Sequence, residues 1–78
     1  MKYIIVSHND TEVPIIFPDN VPHTAFRGFD PISAGRCHIY IGHKGMTYTA
    51  FGESTGLRIS SRNEDSAIIK KAFEFEGV

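Results

Sequence analysis

Only the last part of this chain is punctuated as a long helix. Ser61-Arg62-Asn63-Glu64 has the spacing of a capping box. In that motif the Ser61 hydroxyl accepts from the backbone N–H of Glu64, and the Glu64 carboxylate reaches back to the N–H of Ser61. Acidic Glu64 and Asp65 come first and basic Lys70 and Lys71 follow, the order that a helix dipole favours. Ile68, Ile69, Ala72 and Phe73 recur at helical spacing as one apolar stripe. The pattern predicts a helix over about 62–75, followed by Gly77. Most of the chain before Ser61 is cut into short apolar runs by Gly, Pro, Asn and Asp, so the fold has to be a sheet covered by this helix.

The runs place the strands. Tyr3-Ile4-Ile5-Val6 is rich in β-formers and ends at Asn9-Asp10, two residues that tolerate left-handed backbone angles in a turn. Thr11 to Phe17 is a second strand. Its Pro14 cannot donate to a ladder, which predicts an edge or bulged position. Pro18-Asp19-Asn20 breaks it, and a short helix is expected over 20–28, with Asn20 as cap, Pro22 in the first turn and Gly28 as the stop. Ile32 to Gly42 is a third strand and Met46 to Phe51 a fourth, joined by a turn at Lys44-Gly45. A two-residue turn there sets Ile41 opposite Tyr48 and Ile39 opposite Ala50, with Tyr40 opposite Thr49 and His38 opposite Phe51. The expected fold is α+β: a four-stranded antiparallel sheet of two β-hairpins with the C-terminal helix packed on one face, in the order β-β-(short α)-β-β-α, with residues 1–78 as a single small domain.

Size and charge bound the function. A 78-residue chain buries only about 60–65% of its unfolded surface, which leaves little core to wall a deep pocket and makes dimerisation an economical way to add more. Eight basic and nine acidic residues give a net charge of −1, against the basic balance of a dedicated nucleic-acid coat. The longest apolar run is too short to span a membrane, and the run after Lys2 ends too early for a signal peptide. Cys37 is the sole cysteine, so no internal disulfide is expected and a reducing, cytoplasmic compartment is the default.

Four features carry possible chemistry. Gly52-Glu53-Ser54-Thr55-Gly56 matches the G-x-S-x-G nucleophile elbow. That motif needs a helix to leave at once, whereas Leu57-Arg58-Ile59-Ser60 alternates like a strand, and the fold that uses the elbow is several times larger. A hydrolase anchored on Ser54 is therefore disfavoured, and no catalytic residues are assigned. His8, His23, His38 and His43 lack the spacing of a converging ligand set, so neither a metal site nor a cofactor is expected. Cys37 alternates with Ile39 and Ile41 and reads as a small core hydrophobe rather than a nucleophile. Arg58, Ser61 and Arg62, near the start of the helix, form a weak candidate anion site, since turn and cap formation already explain these residues.

The face opposite Cys37, Ile39 and Ile41 holds Arg36, His38, Tyr40, Thr47, Thr49 and Phe51. With one helix to cover one side of the sheet, this face is expected to stay open. Tyr, Phe and Arg are favoured at protein interfaces. Aromatic and basic residues on a sheet also stack single-stranded bases.

Ile16-Phe17-Pro18, Ser33-Ala34-Gly35, Phe51-Gly52-Glu53-Ser54 and Ser61-Arg62-Asn63-Glu64-Asp65 together resemble motifs of a loose group of small uncharacterised phage and prophage proteins. The third position of the last motif is Pro in that group and Asn63 here; both suit a first helical turn. The resemblance implies a viral or prophage origin and assigns no catalytic residue. The leading expectation is a protein-interaction module that forms a homodimer and binds a host or phage protein, with no membrane partner. A single-stranded nucleic-acid binder using the same face is the alternative.

Overall fold

A computed structural model describes residues 1–74. Strands β1 (Lys2–His8) and β2 (Thr11–Phe17) form the first hairpin, and β3 (Ser33–Gly42) and β4 (Gly45–Phe51) the second. Between them lies a 3-10 helix, His23–Phe29. Two short strands, β5 (Glu53–Ser54) and β6 (Ile59–Ser60), pair with each other before helix α1 (Asp65–Phe73). The four long strands make one antiparallel sheet in the order β2-β1-β3-β4, and α1 packs on it, as the alternation and the helix signals predict.

The first hairpin follows its turn chemistry. Asn9 and Asp10 have φ of 53° and 63°, the left-handed pair that a tight hairpin loop uses. His8 pairs with Thr11 across that loop. Backbone groups alternate along an antiparallel strand, so the odd residues of β2 face β1, and Glu12, Pro14 and Ile16 face outward. Pro14 thus lacks its N–H where no ladder partner exists, on an edge strand as expected.

The second hairpin turns one residue earlier than the sequence predicts. The loop is His43-Lys44, with Gly42 paired to Gly45, and Gly45 takes φ of 120°, a backbone angle that non-glycine residues rarely adopt. Ile41 therefore faces Met46, Ile39 faces Tyr48, Cys37 faces Ala50, Tyr40 faces Thr47 and His38 faces Thr49, two positions away from the expected register. A slip of two preserves the faces, so the inward set and the outward set are those the alternation gives.

One core cluster lies under α1. Tyr3, Ile5, Cys37, Tyr48 and Ile69 are buried together, with Ile16, Ile39, Ala50 and Ile68 against them. The apolar stripe of α1 is narrower than expected: Ile69 is buried and Ile68 half-buried, while Ala72 and Phe73 are exposed. Truncating Ile69 at this depth removes about 2–5 kcal/mol of stability.

The other face is not simply open. Ile4, Phe17 and Ala34 are buried there beneath Val21 and Phe26 from the segment around the 3-10 helix and Leu57 and Ile59 from the β5–β6 segment. Phe17 meets Phe26 at 4.5 Å and the His23 ring edge-on at 5.4 Å. The segment expected as a short helix over 20–28 is the 3-10 turn instead. Pro22 precedes it, no side chain caps it, and Asp30 in the left-handed region, rather than Gly28, ends it. The helix predicted over 62–75 begins at Asp65, and its expected end at residue 75, with Gly77 beyond, lies outside the described residues.

Candidate functional site

The two hairpins are staggered. β1 pairs with only the first part of β3, from Ser33 to Arg36, whereas β3 pairs with β4 all the way to Gly42. The backbone bonding toward the N-terminal strand ends at Cys37, whose N–H donates to the Met1 carbonyl at 2.8 Å. Beyond it, His38–Gly42 and Gly45–Thr49 continue as a two-stranded arm. Tyr40 on one face of the arm is 65% exposed, and Ile41 and Met46 on the other are 74% and 39% exposed. A free two-stranded ribbon is marginal in water. This one is anchored at its base, where Tyr48 is buried beside Ile69 and its hydroxyl donates to the Met46 sulfur at 3.6 Å.

The structure gathers the expected interaction face on this hairpin. Arg36, His38, Tyr40, Thr47, Thr49 and Phe51 lie on one side and are all exposed. Arg36, at the base, pairs with Asp19 at 3.4 Å, and Phe51 is 45% exposed. The uncovered surface is confined to the arm, because the 3-10 helix and the β5–β6 segment cover the rest of that side.

The outer edge of β4 is partly closed. The Ala50 N–H donates to Ser66 Oγ at 2.8 Å, so α1 caps the edge at that level. This bond also shows which way the strand faces: the even residues of β4 point outward, leaving the backbone groups of Met46 and Tyr48 on the open edge. No charged residue and no proline occurs between Gly45 and Phe51. Natural edge strands are commonly guarded by such residues.

A second cluster sits at the start of α1. Asp65 is fully buried and gathers three donors. Its Oδ2 accepts from the Tyr3 hydroxyl at 2.6 Å and from the Arg62 N–H at 3.0 Å, and its Oδ1 accepts from Arg62 Nε at 3.0 Å. Arg62 also reaches Glu12 on β2 at 2.9 Å and Glu64 at 3.6 Å. Burial, and then the bond to Asp65, push the Tyr3 phenol well above its ordinary pKa. The hydrogen bond that Arg62 donates to Glu12, with Asp65 beside it, raises the guanidinium pKa further. The expected capping box is not formed: no side chain caps α1 at Glu64, and Asp65 closes the preceding turn by accepting from Arg62. Asp65 prevails because the same carboxylate satisfies a buried phenol, and a buried unpaired hydroxyl is costly.

Arg58 and Arg62 of the candidate anion site line one open cleft of about 610 Å³ with Ser54, Thr55 and Ser60. Ser61 is not part of that lining; its N–H donates to the Gly52 carbonyl at 3.0 Å. Arg62 is committed to carboxylates, and among the described residues Arg58 makes no ion pair. Arg58 itself sits at φ of 62°, in the left-handed region. The site is thus reduced to one arginine on a turn.

Ser54 is buried, and its Oγ accepts from the Leu57 N–H at 3.2 Å, which holds the 55–58 turn. His23 borders a neighbouring cleft with Ser54, but its Nε2 donates to the Gly35 carbonyl at 3.0 Å. No helix leaves directly from Gly56, where a turn and then β6 follow, so the elbow's architecture is absent from this segment. Cys37 lies in the core, where burial pushes its thiol pKa up. Among the described residues no group of three or more His, Cys, Asp or Glu is gathered as a metal site. No described helix is long and apolar enough to cross a membrane.

No protein-family model, curated protein or solved structure matches the chain. Sequence reasoning missed Ile41 and Met46 as exposed apolar residues, because their parity assigns them to the core face. The signal was the length of the third strand, ten residues against seven for the first, which leaves its far end beyond the reach of the first hairpin.

Proposed function

We propose that this chain is a protein-interaction module whose binding element is the β3–β4 arm, with a second copy of itself as a partner. The observation that carries this reading is the arm's exposure on both sides, with Tyr40 65% and Ile41 74% accessible. Isolated surface apolar residues are ordinary, but grouped ones on a projecting ribbon mark a contact surface. Tyr, Phe and Met are enriched at protein interfaces. Nothing about this surface calls for bond-making chemistry, so the reading is a binding one and not an enzymatic one. The resemblance to small phage and prophage proteins fits a host or phage protein as a further partner inside a host cell.

Sedimentation equilibrium of the wild type at micromolar concentration tests the reading, with the Tyr40→Ala/Phe51→Ala double variant beside it. The expected result is a reversible oligomer for the wild type, weaker self-association for the variant, and matching thermal unfolding for both. A wild type that stays monomeric, or a variant that unfolds, counts against it. A labelled single-stranded oligonucleotide at low salt examines the alternative, since His38, Tyr40 and Phe51 share one face with Arg36. Tight binding that collapses with salt favours nucleic acid over protein as the arm's ligand.

A further inference from the structure

We infer that two copies dock along β4, antiparallel, with Thr47 facing Thr47 across a two-fold axis, so that their four-stranded sheets join into one. This rests on the interaction reading above and specifies how the arm is used. An antiparallel pair forms its hydrogen bonds through outward-facing residues, and on β4 those are Met46, Tyr48 and Ala50. Ser66 already takes the Ala50 N–H, so a register centred on Tyr48, which needs Ala50 opposite Met46, is closed. A register centred on Met46 needs Lys44, which lies in the hairpin loop and offers no strand edge. The register centred on Thr47 pairs Met46 of each copy with Tyr48 of the other and uses the N–H and C=O groups of both residues on both edges.

Three further features fit that register. In it Lys44 of one copy falls beside Ala50 of the other, so each incoming strand turns away where Ser66 closes the edge. The hairpin carries basic Lys44 at its tip and acidic Glu53 just past the far end of β4, so antiparallel alignment brings the basic end of each copy toward the acidic end of the other. On the helix face, Met46 of each copy, 39% exposed in the single chain, is set opposite Tyr48 of the other and gains cover from the incoming strand. A two-fold interface must be self-complementary, and this edge is: the same pair of residues supplies donors and acceptors on each side. Pairing also turns two marginal ribbons into a four-stranded layer.

Cysteine cross-linking tests the register. Thr47 forms a non-hydrogen-bonded pair with its own copy, with Cα atoms about 4.5 Å apart, within disulfide range. Thr49, on the same face and equally exposed, is four residues out of step with its copy, about 13 Å away along the strand. With diamide taking up the two thiol hydrogens, Thr47→Cys is expected to form a disulfide-linked dimer rapidly. Thr49→Cys and the wild type, whose Cys37 is buried, are expected to stay unlinked. Thr47→Lys places like charges across the axis and is expected to weaken self-association by about tenfold or more with no loss of fold. If the wild type self-associates but Thr49→Cys links as fast as Thr47→Cys, or Thr47→Lys has no effect, the β4 register is wrong and the arm reading stands. If the wild type is monomeric, both fall.

Discussion

The two edges of this sheet are built to opposite ends. On β2 the outward positions are Glu12, Pro14 and Ile16: a charge, a residue with no N–H, and one apolar side chain half-buried under the helix. Glu12 is further held by Arg62 at 2.9 Å, so the charge is fixed at the edge. On β4 the outward positions are Met46, Tyr48 and Ala50, and the strand has neither charge nor proline. Among the described residues, Ser66 alone closes part of it with a hydrogen bond. Both strands are seven residues long, so length does not explain the difference. One edge is defended against pairing and the other is left available, and it is the available edge that projects beyond the body of the sheet.

The strongest challenge to this contrast goes through Asp65, which holds Arg62 and so the defended edge. Asp65→Ala leaves the Tyr3 hydroxyl without its acceptor and strips Arg62 of its buried partner. Removing one member of such a buried group is expected to cost about 3–5 kcal/mol, read as a lower urea midpoint. Next comes Ser66→Ala, which frees the Ala50 N–H and lengthens the open edge. It is expected to cost about 1 kcal/mol in the monomer while admitting registers other than the one centred on Thr47, so that Thr49→Cys in this background begins to cross-link. The smallest effect belongs to Glu12→Ala. Its ion pair with Arg62 is partly exposed, and a change of about 0–1 kcal/mol in chemical denaturation is expected, with no new oligomer because Pro14 remains. A β2 edge that aggregated on losing Glu12 alone would show that the carboxylate, and not Pro14, is its main guard.

Much of this architecture was legible where a local rule governs it. Asn9-Asp10 specifies its own turn, Pro14 declares an edge, and strict alternation sorts the second hairpin into two faces whatever its register. Long-range choices were not legible. The capping box at Ser61 and Glu64 is a sound local motif, but Asp65 is drawn to Tyr3, a residue 62 positions away, and that contact reorganises the turn. The register of the second hairpin moved by two because glycine stands on both sides of His43-Lys44 and either glycine suits the turn. The arm depends on how far one hairpin slides along the other, which no turn residue sets. The cover over Ile4 and Phe17 comes from Phe26, Leu57 and Ile59, three apolar residues in segments with little periodicity.

The central claim is that the β4 edge is occupied in the assembled protein and the β2 edge is not. Amide exchange followed by NMR across a dilution series reads both edges in one molecule. The account predicts that the N–H groups of Met46 and Tyr48 are protected at high protein concentration and lose protection on dilution, while those of Glu12 and Ile16 exchange quickly throughout. Equal, rapid exchange at Met46 and Tyr48 at every concentration would contradict it.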